Sequence, residues 1–183
     1  LEEIRKQEQA LADKTRPQAE AEALSAEIGK AQAELDALLQ SQKALEGTSA
    51  QDPEKAGKEQ AELSEKAAKL ADKLKDKMGN SPAAKAAGIH EDLKDAGRKT
   101  DTAGKEMDKA ADKLGAKPKE DPAKPGDPKA GDPKAGDPSQ AQPHQKEAVK
   151  RLAEAKALLA EKKKRLDEQL AKGNLKDQKK AQE

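Results

Sequence analysis

The chain has no aromatic residue, no cysteine and few large aliphatics. Without Phe, Tyr or Trp it lacks the side chains that usually dominate core energetics. Without cysteine there is no disulfide framework, no thiolate nucleophile and no cysteine-based metal site, although this leaves the compartment open. No apolar run approaches the roughly 20 residues that a membrane-spanning helix needs, and no signal-peptide pattern is present. The chain begins at Leu1 rather than Met. That start reads as a fragment or a processed product, with a targeting or membrane segment upstream left open.

What is present is mostly alanine and charge. The 183 residues include 36 Ala but only 18 Leu, 3 Ile, 1 Val and 2 Met. Alanine is the best helix former and brings little area to a core. The composition therefore argues against an ordinary two-layer domain with a packed core. Lys and Arg number 37 against 36 Asp and Glu, a formal net charge of +1, and the signs are finely interleaved. That pattern reads as long solvated helices or coiled coil, marginal in stability until they pair. The fold class expected is all-α: elongated antiparallel helical hairpins or coiled coil, with a disordered Pro/Gly-rich linker.

Leu24 to Leu45 is the most apolar stretch. Leu24, Ile28, Ala31, Leu35, Leu38, Gln42 and Leu45 step by four and three, the spacing of a helix that buries one narrow stripe against another. Gln42 at a core position has the character of a polar insertion that fixes register. The plainer reading, an imperfect seam, is preferred. Upstream, a short helix with Leu1, Ile4 and Leu11 is expected to break near Pro17, because proline interrupts a helix interior. Residues 1–46 form this broken N-terminal unit.

Asp52-Pro53 gives an N-cap and a proline at the first helical position. Residues 53–114 read as a helical hairpin turning at 79–82, where Gly79 and Asn80 end one helix and Ser81 and Pro82 open the next. Its seams place Leu63, Leu70 and Leu74 on the first arm and Ile89, Leu93, Met107 and Leu114 on the second. The second arm is read as one helix over 83–114, with fraying expected between Gly97 and Gly104. Residues 115–143 carry recurrent Pro and Gly with a short Gly-Asp-Pro-Lys-Ala repeat, a composition in which neither helix nor ladder propagates. Residues 144–183 read as a basic C-terminal helix and tail, with Leu152, Leu159 and Leu166 on its stripe and an end near Gly173. The acidic residues 1–46 and this basic helix are electrostatically complementary, so one is expected to fold back on the other.

The residues give little sign of chemistry. His90 and His144 lie far apart without metal-ligand spacing. The glycines at 126, 131 and 136 form no phosphate loop. Carboxylates are abundant, but a chain with alanine seams offers no dry pocket to separate their pKa values. No enzyme, cofactor, metal or small-molecule substrate is expected. Lys162-Lys163-Lys164-Arg165 is the one basic run, a candidate contact for nucleic acid or an anionic membrane surface. It lacks aromatic partners for base stacking, and pairing with the acidic helices is preferred.

Two families come into view. The segment from Ala96-Gly97-Arg98 to Ala116-Lys117, centred on Lys105-Glu106-Met107-Asp108-Lys109, resembles the Ala/Lys/Glu/Gly repeats of group 3 late-embryogenesis-abundant proteins. That likeness implies a protectant that is disordered when hydrated and helical on drying. The whole chain is more similar to the long soluble helical regions of bacterial membrane-anchored proteins of unknown function. Leu11-Ala12-Asp13-Lys14-Thr15-Arg16, then Glu106 to Leu114, then Gln145 to Leu152 carry this likeness in order. It implies a coiled-coil architecture tethered to a membrane by sequence not present here. The function expected is a non-enzymatic scaffold, spacer or protein–protein interaction region, with self-association through the helices as one form. The alternatives are the stress protectant and, more weakly, an anionic-surface binder.

Overall fold

The structure, a computed structural model, describes residues 2–115 and 136–180. The described residues are about 90% helical and contain no strand. The chain is all-α. Helix α1 spans Glu2–Thr48 and α2 spans Pro53–Asp72, continued by a π-helical segment at Lys73–Met78. A short α3 at Pro82–Ala86 precedes α4 at His90–Lys113, and α5 spans Pro138–Lys180. The expected linker lies outside the described residues between 116 and 135.

Polar capping fixes two of the starts. Asp52 accepts from Lys55 N at 3.1 Å, with Pro53 in the first turn. Ser81 Oγ accepts from Ala84 N at 3.1 Å, with Pro82 in the first turn. Each pairs a side-chain acceptor for an orphan N–H with a residue that has none to offer.

Helix α4 packs against α2 on one side and α5 on the other, and α5 packs back on α1. Neighbours run antiparallel. Asp92 meets Lys162 and Lys99 meets Glu154 between α4 and α5. Asp36 meets Lys156 and Ser25 meets Asp167 between α1 and α5. Gln42 meets Gln60 and Glu34 meets Lys73 between α1 and α2 with its extension. The result is an up-down-up-down four-helix arrangement. One connected core runs through all of it, from Leu24 on α1 to Leu166 on α5.

A packed core therefore forms despite the composition. Alanines such as Ala31, Ala67, Ala96, Ala103 and Ala155 are fully buried. Small side chains let helix backbones approach closely, so dispersion contacts between backbones replace those of large side chains.

Several local expectations change. Helix α1 runs unbroken through Pro17. Pro17 is solvent-exposed, so water can serve the carbonyl one turn back that loses its N–H partner. The second hairpin arm is not one helix. Gly88 has φ +67°, and Ile89 N donates to Ala84 O at 3.0 Å while Gly88 N donates to Lys85 O at 3.1 Å. This pair of bonds is a Schellman stop, which needs a residue at ease in the left-handed region. It turns Ala86 out to solvent and Ile89 into the core.

The section expected to fray is helical and closely packed. A Cβ on Gly97 would lie 2.9 Å from Ala71 O and 3.2 Å from Lys75 N. These glycines serve close approach of α4 to α2 rather than looseness. Helix α5 starts earlier than read, at Pro138, with Asp137 accepting from Ser139 N at 3.0 Å and Ala141 fully buried. It also passes Gly173, which does not take the left-handed conformation that would end it.

Candidate functional site

In the ring of helices α1 and α2 are the least closely packed neighbours. Two cavities of about 390 and 690 Å³ lie along that seam and share Ser41, Leu63 and Lys66, so they form one groove. Its floor is apolar: Leu38 and Leu45 from α1, Leu63 and Leu70 from α2. Its two walls differ. The α1 wall is small and largely uncharged, with Ala37, Ser41 and Ala44 exposed. The α2 wall carries Lys66, Lys69 and Lys73 on a three-four step. Lys73 is held by Glu34 at 2.8 Å, whereas Lys66 and Lys69 make no ion pair among the described residues. Toward the α1–α2 turn the lining is mixed in charge, with Asp52, Glu59 and Glu62 beside Lys55, which lies 3.9 Å from Glu59.

Beneath one end of this groove the core turns polar. Gln42, Gln60 and Gln145, from α1, α2 and α5, are all fully buried. Gln42 Nε2 donates to Gln60 Oε1 at 3.1 Å, and Gln60 Nε2 donates back to Gln42 Oε1. Gln145 Nε2 also donates to Gln60 Oε1, at 3.2 Å. Gln42 is thus one member of an interhelical amide cluster rather than a flaw in a seam. Gln60 stood on the α2 seam in the sequence; Gln145 gave no signal because the expected helix start fell beside it.

A second polar contact closes the same end of the α4–α5 pair. Glu106 Oε2 lies 2.6 Å from His144 Nδ1, and Glu106 Oε1 accepts from Lys109 at 2.6 Å. The Lys109 ammonium and then the His144 ring hold the Glu106 carboxyl below its ordinary value. At the far end, Lys163 and then Ser25 likewise lower Asp167, tying α5 to α1.

The seam residues named from Leu24 to Leu166 are buried, whereas Ile4 of the short N-terminal helix is exposed. On α1 these are Leu24, Ile28, Leu35, Leu38 and Leu45; on α2 and its extension, Leu63, Leu70 and Leu74. Ile89, Leu93, Met107 and Leu114 are buried around and along α4, and Leu152, Leu159 and Leu166 on α5. The basic run divides. Lys162 pairs with Glu161 at 3.0 Å and Asp92 at 3.5 Å. Lys163 pairs with Asp167 at 2.6 Å, while Lys164 and Arg165 are exposed. The acidic partner for Lys162 is therefore on α4; α1 is engaged through Lys156 and Asp36.

Among the described residues no three His, Cys, Asp or Glu side chains are grouped to hold a metal ion. No described helix is long and apolar enough to cross a membrane. Compared with known proteins, the chain matches no protein family, no curated protein and no solved structure.

Proposed function

We propose that this chain is a non-enzymatic helical module, a spacer or scaffold that engages other protein through its helices. The observation that carries this reading is the α1–α2 groove, which follows the least closely packed seam of the bundle and has Leu38, Leu63 and Leu70 beneath it. A fifth helix laid there would cover the small, exposed α1 wall of Ala37, Ser41 and Ala44. Along the seams the three-four spacing supports antiparallel coiled-coil hairpins as the finer description of how the helices pair. Helix α1 spans 47 residues, about 70 Å at 1.5 Å per residue, a length suited to spacing. The resemblance to helical regions of membrane-anchored proteins supports a tethered context for such a spacer.

Circular dichroism in dilute buffer tests the reading. A helical spectrum with one cooperative thermal transition is expected at low micromolar concentration. Low helicity, recovered only on drying or in trifluoroethanol, would overturn it and favour the protectant.

A further inference from the structure

Most rungs of the buried core resemble one another. On α5 the buried positions include Ala141, Gln145, Ala148, Leu152, Leu159 and Leu166. Consider α5 slid along its neighbours by one heptad, about 10.5 Å, so that each residue takes the place of the one seven further on. Ala141 then fills the place of Ala148, Leu152 that of Leu159, and Leu159 that of Leu166. The apolar rungs match as well as before, because a heptad seam repeats itself every seven residues. Exposed ion pairs resist the slide weakly, since each contributes little. Lys99 would even keep a carboxylate, with Glu147 in the place of Glu154. Gln145 is the exception. Its amide donates to Gln60 Oε1 at 3.2 Å, and Gln60 is paired in turn with Gln42. After the slide Gln145 would stand in the fully buried place of Leu152, within the connected apolar core, with Gln60 and Gln42 left behind. A buried amide stranded in this way costs more than its hydrogen bond gains when made. His144 opposes the slide at the same level. It meets Glu106 at 2.6 Å, and the slide would set Asp137 there, carboxylate against carboxylate.

We infer that Gln145, received by Gln60 and Gln42, is a register lock: it selects one alignment of α5 among those that the Leu and Ala rungs accept. The lock excludes the slid alignment more than it strengthens the observed one. Gln145 Oε1 is itself buried without a hydrogen-bond partner among the described residues. An apolar side chain of similar shape in its place would be nearly neutral for stability, because Gln60 keeps its partner in Gln42. What the cluster supplies is alignment, as one polar residue does in the otherwise apolar seam of a coiled coil. Alignment matters to the outside of the bundle as well. Asp36 faces Lys156, and Ser25 faces Asp167, in this register alone, so the surface shown to any other protein is set by it. The inference concerns the chain's own pairing and does not rest on the module reading above.

The full chain has no cysteine, so introduced pairs can read the register. The Ser25 and Asp167 side chains are hydrogen-bonded across α1 and α5, and Ser25→Cys with Asp167→Cys therefore reports the observed alignment. The slide brings Ala160 to the place of Asp167, so Ser25→Cys with Ala160→Cys reports the slid one. Each pair is equilibrated in a glutathione buffer, and the ratio of the two disulfide equilibrium constants measures the preference. With Gln145 in place the first pair should be strongly favoured. Gln145→Leu and Gln145→Ala should each lower the ratio about tenfold or more, the scale of one stranded amide. Circular dichroism should still show a cooperative helical transition in both. The alanine variant separates loss of the amide from gain of an apolar side chain. A folded Gln145→Leu or Gln145→Ala that leaves the ratio unchanged would overturn the inference and leave the helical-module reading standing. So would equal constants with Gln145 in place. A Gln145→Leu chain that fails to fold would also overturn it, because Gln145 would then serve stability rather than register.

Discussion

Replacing Gly97 by alanine separates packing from helix propensity. In an open helical site the change is favourable, because alanine is about 1 kcal/mol better than glycine in a helix interior. At Gly97 the new Cβ would stand 2.5 Å from Lys75 Cγ, 2.9 Å from Ala71 O and 3.2 Å from Lys75 N. The lysine stem can rotate away. The backbone atoms of α2 and its π-helical extension cannot, so the helices must part. Overpacking of this kind costs about 1–3 kcal/mol, and contact with backbone places it in the upper half of that range. The expected net loss is about 1–2 kcal/mol, or about 2–8 °C in Tm for a chain of this size. Gly29 is the control. Its Cβ would meet only Lys163 Cε, at 3.4 Å, the end of a flexible side chain, so Gly29→Ala should gain about 1 kcal/mol. Thermal melts by circular dichroism of the two variants should move in opposite directions. If Gly97→Ala stabilises as Gly29→Ala does, α4 and α2 are not in backbone contact, and the account of how alanine seams build this core is wrong.

Other outcomes follow from the same contacts. Gly88→Ala should destabilise by about 1–2 kcal/mol although nothing lies within 4 Å of its Cβ, because φ +67° strains any side chain; a urea melt reads it. Gln42→Ala should cost about 2–4 kcal/mol by opening a cavity and stripping Gln60 of its reciprocal partner. Gln42, Gln60 and Gln145 changed together to Leu should recover most of that loss, and the urea transition should then tell whether cooperativity suffers. Glu106 ionises more readily in the folded chain than unfolded. Its contribution is therefore present above its ordinary value of 4.5 and lost as pH falls through the lower folded value. Asp167 acts in the same sense below 3.8. Melting temperature should drop on acidification below about pH 4.5, with a shallower slope in Glu106→Gln.

The heptad arithmetic located the buried stripes because burial in a helix pair depends on little more than spacing, and Leu24 to Leu166 keep it. Caps were equally legible at Asp52 and Ser81, where side chain and proline act within four residues of each other. What spacing does not carry is distance between helices. A glycine on a seam reads as weakness when its only known property is backbone entropy. Gly97 becomes an asset only once α2 is known to lie against it. The same blindness hid the Gly88 stop, because the three-four alternation continues through it by coincidence of Ala86 and Ile89. It also began the predicted C-terminal helix too late, since Pro143 looks like a barrier until Ala141 and Gln145 are seen to be buried.

Leu24–Leu45, the most apolar stretch of the sequence, is not the only one that builds the core. Leu35 and Leu38 are buried, but so are Leu93, Met107 and Leu159, all in one connected core. Truncating any of them to alanine should cost about 2–5 kcal/mol, and the losses should be global rather than confined to one helix. Helix α1 differs from the others at its groove rather than in its core. Leu38 and Leu45 lie beneath the α1–α2 groove and are already buried, so what the groove presents to solvent on this side is the small wall of Ala37, Ser41 and Ala44.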